Sequence, residues 1–134
     1  MTKKQKNKIL TMCKKYRLYF CIWFGSGVEE GRKRYQRDYD LAFYGGKHLK
    51  GDLTLKLQKE LLSFFDKPID IILIQPLMDT LLAYEISTKG KLVCELKKDS
   101  FLEFQGRTWK DYLDTQRYRD YEKIYIEKKV KHVS

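Results

Sequence analysis

Short apolar runs alternate along this chain with stretches in which apolar residues recur every three or four positions, and that alternation restricts the folds open to it most. Leu18-Tyr19-Phe20-Cys21-Ile22-Trp23-Phe24 is apolar throughout, rich in aromatic residues, and stops at Gly25-Ser26-Gly27. This is the pattern of a strand covered on both faces. Tyr39 to Tyr44, closed by Gly45-Gly46, reads as a second strand, and the charged segment from Val28 to Arg37 as the turn leading into it. Ile69 to Ile74 reads as a third, broken near its start by the single carboxylate of Asp70, and Lys91 to Leu96 as a short fourth.

Helical spacing fills the intervals. Residues 3 to about 15 contain no Gly or Pro and set a narrow apolar stripe among lysines. Asp52 can cap a helix whose Leu53, Leu57, Leu61 and Phe64 lie on one face, widened by Leu62 and Phe65, and Pro68 forbids its continuation. Pro76 stands where another helix can begin, with Leu77, Leu81, Tyr84 and Leu82, Ile86 at helical spacing and Gly90 suited to its C-terminus. Strands alternating with helices specify an α/β layered fold. From Ser100 to about His132, aromatic and apolar residues recur at three- and four-residue spacing with no Pro, as one long helix or two. Its aromatic content exceeds the needs of a solvated helix, so docking on the core, a partner interface, or both is expected. We therefore divide the chain into a core at 1–96 and a C-terminal helical extension at 97–134, joined in a single domain or serving as a partner interface.

At 134 residues, 43% apolar and 14% aromatic, the chain can bury an ordinary core, which argues against wholesale disorder. Cys13, Cys21 and Cys94 are too few for a disulfide framework and lack zinc-site spacing. They read as small core residues, and a reducing cytoplasm is the expected location. No apolar run reaches the roughly 18 residues of a membrane span, so a soluble protein with no membrane partner is expected. The formal charge of +10 invites a polyanionic partner. Seven basic and no acidic residues precede Leu18, giving either a solvated face or a patch for nucleic acid or an acidic protein. His48 and His132 lack neighbours that would make them ligands or bases.

Three carboxylates occur where strands meet loops: Asp38 and Asp40, two positions apart, and Asp70. On a strand, residues i and i+2 point to one face. Carboxylates so close repel unless a cation neutralises them, and magnesium suits hard oxygen donors. A third carboxylate from a neighbouring strand completes a two-metal clamp for phosphoryl or nucleotidyl transfer. Upstream, the glycines and hydroxyl of Phe24-Gly25-Ser26-Gly27 can approach a triphosphate, although each element alone also fits an ordinary turn.

On Ile22-Trp23-Phe24-Gly25-Ser26, Asp38-Tyr39-Asp40-Leu41-Ala42 and Ile69-Asp70-Ile71-Ile72, followed by Glu85-Ile86 and Gly90 to Glu95, the chain resembles the minimal nucleotidyltransferases of the DNA polymerase β superfamily. Tyr112-Leu113-Asp114-Thr115 is similar to the C-terminal helix of their antitoxin members, which pair with HEPN-domain toxins. The resemblance implies a small mixed sheet with helices packed on it and ATP-dependent transfer of AMP to a tyrosine of a HEPN-type RNase toxin. It further implies that Gly25 and Ser26 hold the β- and γ-phosphates and that Asp38 and Asp40 bind two Mg2+ ions. Asp70 would join the catalytic metal and help deprotonate the incoming hydroxyl. Two departures stand out: eleven residues rather than ten separate Ser26 from Asp38, and Gly27 replaces a common Arg. Two alternatives remain at this level, a non-catalytic module that occludes its partner through the C-terminal helix, and nucleotidyl transfer to a small molecule or RNA.

Overall fold

Strand periodicity distributes apolar side chains to both sides of one sheet, and each side is closed by a pair of helices. The computed structural model describes residues 1–25, 39–46, 51–76 and 78–133, with side chains through Lys129. The elements, in chain order, are α1 (Lys3–Lys15), β1 (Phe20–Phe24), β2 (Tyr39–Tyr44), α2 (Leu53–Leu61, extended by a 3-10 turn over Leu62–Phe64), β3 (Ile69–Leu73), α3 (Thr80–Lys89), β4 (Lys91–Glu95) and α4 (Ser100–Val133). The strand order is β3-β2-β1-β4, with β2 parallel to β3 and β1 antiparallel to both β2 and β4. The sheet is therefore mixed, as the resemblance implied.

Alternation along β1 and β2 sorts the core. Cys21, Leu41 and Phe43 pack with Ile9, Met12, Cys13, Leu57 and Leu61 of α1 and α2 on one side. Phe20, Ile22 and Ala42 pack with Ala83, Ile86 and Phe104 of α3 and α4 on the other. Thr2 and Gln5 form a capping box at the start of α1, which satisfies two otherwise orphaned N–H groups. Of its basic residues, Lys15 pairs with Glu60 and Lys4 and Lys8 lie over the Phe64 ring. Part of the N-terminal basic run therefore fastens α1 to α2.

Three expectations are revised. Asp52 does precede α2, but its carboxylate bonds no helix N–H; it pairs instead with Lys56 at 3.3 Å. Leu62 is exposed, because the 3-10 turn rotates it off the helix stripe, while Phe65 is buried. The third helix begins at Thr80, capped by the Asp79 side chain, not at Pro76; Leu81 and Leu82 are exposed and Ala83, Ile86 and Ser87 face inward. Leu77 lies outside the described residues.

The C-terminal stretch is one helix with two environments. Phe104 and Thr108 are buried, Gln105 donates to the Ser87 carbonyl, and Tyr112 stacks on Tyr84 with centroids 3.9 Å apart. Beyond that contact Tyr118, Tyr121, Ile124 and Tyr125 are exposed. No helix among the described residues is long and apolar enough to cross a membrane.

Candidate active site

The strand register brings the described site residues together. β1 ends where β2 begins, so Phe24 pairs with Asp40; β2 and β3 start side by side, so Asp40 pairs with Asp70. Paired positions of parallel strands direct their side chains to the same face, about 5 Å apart. Tyr39, Ile69 and Ile71 join the core beneath α1 and α2, which places Asp40 and Asp70 on the opposite face. Asp40 is half-buried and Asp70 exposed.

Gly25 completes this corner. Its φ of +94° belongs to the left-handed region open to glycine, and a Cβ there would sit 3.1 Å from Cγ of Asp40 and closer still to Oδ2. The turn after β1 thus lies directly against the Asp40 carboxylate, with no room for a side chain between. Gly90 plays a comparable part from the other side. A Cβ at Gly90 would collide with Ile22 and with the Ile86 carbonyl, so its lack of a side chain lets the end of α3 close onto β1. Its place at the end of a helix suggests a cap, but its φ of −74° shows that close approach, not backbone conformation, requires it.

Asp38 and Ser26 lie outside the described residues, as do His48 and the basic residues between Ser26 and Asp38. Among the described residues no group of three or more His, Cys, Asp or Glu could hold a metal. The described donors are two carboxylates on one face of adjacent strands, an all-oxygen set that fits a hard divalent cation and offers nothing to a soft one.

A crevice of about 180 Å³ lies elsewhere. Tyr44, Ile74, Ala83, Phe104 and Thr108 line it at the far end of β2, four residues and about 13 Å from Asp40. Its walls bring no pair of carboxylates together, so the Asp40 corner remains the candidate site.

The polymerase beta nucleotidyltransferase family model matches residues 7–99, which hold all four strands, Gly25, Asp40 and Asp70. The chain belongs to this family. Solved structures share the fold. The chain is similar, with TM-score 0.71 and 23% identity over 94% of its length and 98% of the other, to a chain of the tri-AMPylated Shewanella oneidensis HEPN toxin in complex with MNT antitoxin. It is similar to a chain of a toxin-antitoxin crystallised with AMP-PNP at TM-score 0.73 and 21% identity, over 90% of this chain and 97% of that one. A double Asp-to-Glu mutant of the toxin-antitoxin MntA-HpeT gives TM-score 0.73 and 20% identity, with the same coverage. No curated protein sequence matches the chain.

Proposed function

We propose that the chain is a magnesium-dependent protein adenylyltransferase that transfers AMP from ATP to a tyrosine of a HEPN-type toxin and so acts as its antitoxin. The observation that carries this reading is the register of Asp40 with Asp70 on one sheet face, with Gly25 held against Asp40. Family membership supports nucleotidyl transfer. The AMPylated toxin in one structural neighbour and the AMP-PNP in another support this acceptor and this nucleotide.

In this reading Gly25 and Ser26 present backbone N–H groups and a hydroxyl to the β- and γ-phosphates. Asp38, Asp40 and Asp70 would hold the magnesium ions, which offset the phosphate charge and lower the cost of forming the attacking oxyanion. The acceptor oxygen forms a bond to the α-phosphorus, the bond to the bridging oxygen breaks, and pyrophosphate leaves in line. Asp70, the exposed member of the pair, receives or relays the hydroxyl proton.

The division at residue 97 becomes a division of labour within α4: its first turns cover the sheet, and the turns beyond Tyr112 serve the partner. Tyr118, Tyr121, Ile124 and Tyr125 give that stretch an amphipathic aromatic surface of the kind enriched at interfaces. The same surface favours a second reading, neutralisation by occlusion without catalysis.

Labelled AMP supplied as ATP to the chain co-expressed with a HEPN-type partner separates the two. Magnesium-dependent labelling of the partner, abolished by joint Asp38→Asn and Asp40→Asn substitution, is expected; undiminished labelling would overturn the site. Under occlusion the double variant still suppresses toxicity, and truncation after Asp120 does not. A cut after Leu96 is unsuitable because it strips Phe101 and Phe104 from the core.

A further inference from the structure

Cys94, distant in sequence from Cys13 and Cys21, meets them where α1 packs on the sheet. Cys21 of β1 pairs in register with Cys94 of β4, and Cys13 descends from α1 until its Sγ lies 3.5 Å from Sγ of Cys94, across 81 positions of sequence. Their settings differ. Cys13 and Cys21 are fully buried, whereas Cys94 lies on the edge strand and is half-buried.

The thiols differ in acidity in the same sense. Cys94 is held below its ordinary value, first by its hydrogen bond with Cys13 and further by the Cys21 backbone N–H, against the effect of burial. Once Cys94 ionises, only Cys13 has a proton to donate, and that bond, with burial, pushes the Cys13 thiol up. Burial alone is the main cause of the raised Cys21 thiol. A half-buried edge-strand cysteine favoured as thiolate beside a buried protonated one is the arrangement of a reactive cysteine and its resolving partner.

We propose that Cys94 and Cys13 form a reversible intramolecular disulfide when the protein meets a hydroperoxide, with Cys94 reacting first and Cys13 resolving. The Cys94 thiolate attacks the peroxide oxygen, the O–O bond breaks, and the departing alkoxide or hydroxide takes up a proton, leaving Cys94 as sulfenic acid. Cys13 sulfur then attacks Cys94 sulfur; the S–S bond forms, the S–O bond breaks, and the departing hydroxide leaves as water with the Cys13 proton. Two thiols are oxidised and one peroxide is reduced, so the electrons balance. The sulfurs close from 3.5 Å to about 2.05 Å. The closed loop contains Gly25, Asp40 and Asp70, so oxidation ties α1 to β4 on the sheet face opposite the candidate active site and cross-links the stretch of chain that carries it.

The test treats the full chain with hydrogen peroxide at neutral pH and maps it without reduction. Trypsin separates the three cysteines, because Lys14 and Arg17 lie between Cys13 and Cys21 and lysines flank Cys94. The expected result is loss of two hydrogen atoms, disappearance of two of the three thiols, and one cross-linked peptide pair joining Cys13 to Cys94, all reversed by dithiothreitol. Cys13→Ala should stop at the sulfenic acid, which dimedone traps at Cys94, and Cys21→Ala should cross-link as the parent does. A bond that includes Cys21, cross-links only between molecules, or dimedone on Cys21 in place of Cys94 overturns the proposal. Survival of all three thiols also overturns it. The parent map needs no substitution, so it decides the pairing whatever a variant does to folding.

Discussion

On the side of the sheet covered by α1 and α2, β2 and β3 present Tyr39, Leu41, Phe43, Ile69 and Ile71 to a closed apolar core. On the other side the same two strands begin with Asp40 and Asp70 before Ala42 lets α3 and α4 close over them. Neighbouring residues of one strand therefore have opposite tasks. Because a strand alternates its faces, Asp40 can stand between Tyr39 and Leu41 without entering their core. The first face supplies the stability that holds two like charges side by side on the second, and that separation is open to experiment.

The largest expected effect falls on the charged face. Asp40→Asn should lower the rate of AMP transfer on the order of 10⁴-fold, the scale of removing an essential member of a reacting group. Its stability should change little beside the loss of rate, since the amide keeps the shape of the carboxylate at a half-buried strand end. Transfer rate and chemical denaturation on the same preparation check both parts; a variant that loses activity by unfolding would break the comparison. Phe43→Ala does the reverse. Phe43 is fully buried between the sheet and the α1–α2 layer, and its removal should cost about 3–5 kcal/mol in a denaturation series. The folded fraction should retain its transfer activity.

These two residues also show what could be read directly from the sequence. Phe43 lies in an apolar and aromatic run broken only by Asp40 and closed by Gly45-Gly46, and β2 spans Tyr39–Tyr44 as expected. The unbroken run from Leu18 to Phe24 likewise becomes β1, trimmed to Phe20–Phe24. The order of glycine turn and carboxylates identified the candidate site residues; the parallel register of β2 with β3, which sets Asp40 beside Asp70, depends on a crossover that no local pattern specifies. The third helix was misplaced for a different reason. Periodicity favours large apolar residues such as Leu81 and Leu82, but α3 lies so close to α4 that Ala83 and Ser87 form the contact and the leucines turn outward. The Cys13–Cys94 contact, 81 positions apart, has no local signal at all.

Gly25 joins the two tasks, and a single methyl group tests the junction. Gly25→Ala places a Cβ on a backbone with φ of +94° and against the Asp40 carboxylate, so a cost of about 1–3 kcal/mol is expected. The carboxylate must move or the turn must open, so the rate should fall roughly 10²-fold, as for a small misplacement of reacting groups. Stability loss with full activity would show that the turn does not position Asp40.

The smallest effect belongs to the rim of the apolar face, where Lys15 reaches Glu60. Glu60 is held below its ordinary 4.5, first by the hydrogen bond from Lys15, with burial opposing it, and further by the Lys15 charge, the Tyr16 hydroxyl and the Lys8 charge. A carboxylate lowered in the folded state adds stability above 4.5 and loses it as the pH falls through its folded value. Lys15 is raised above its ordinary 10.5 by the same bond, so its share is present below 10.5 and disappears as the pH climbs past the folded value. Between those limits Glu60→Gln should lower the denaturation midpoint slightly, far less than Phe43→Ala, because the pair is open to solvent. The two midpoints should converge in acid, where Glu60 is protonated in both states, and again in strong alkali, where Lys15 is neutral. A difference that persists in acid would mean that Glu60 holds α1 to α2 by packing, with its charge playing no part.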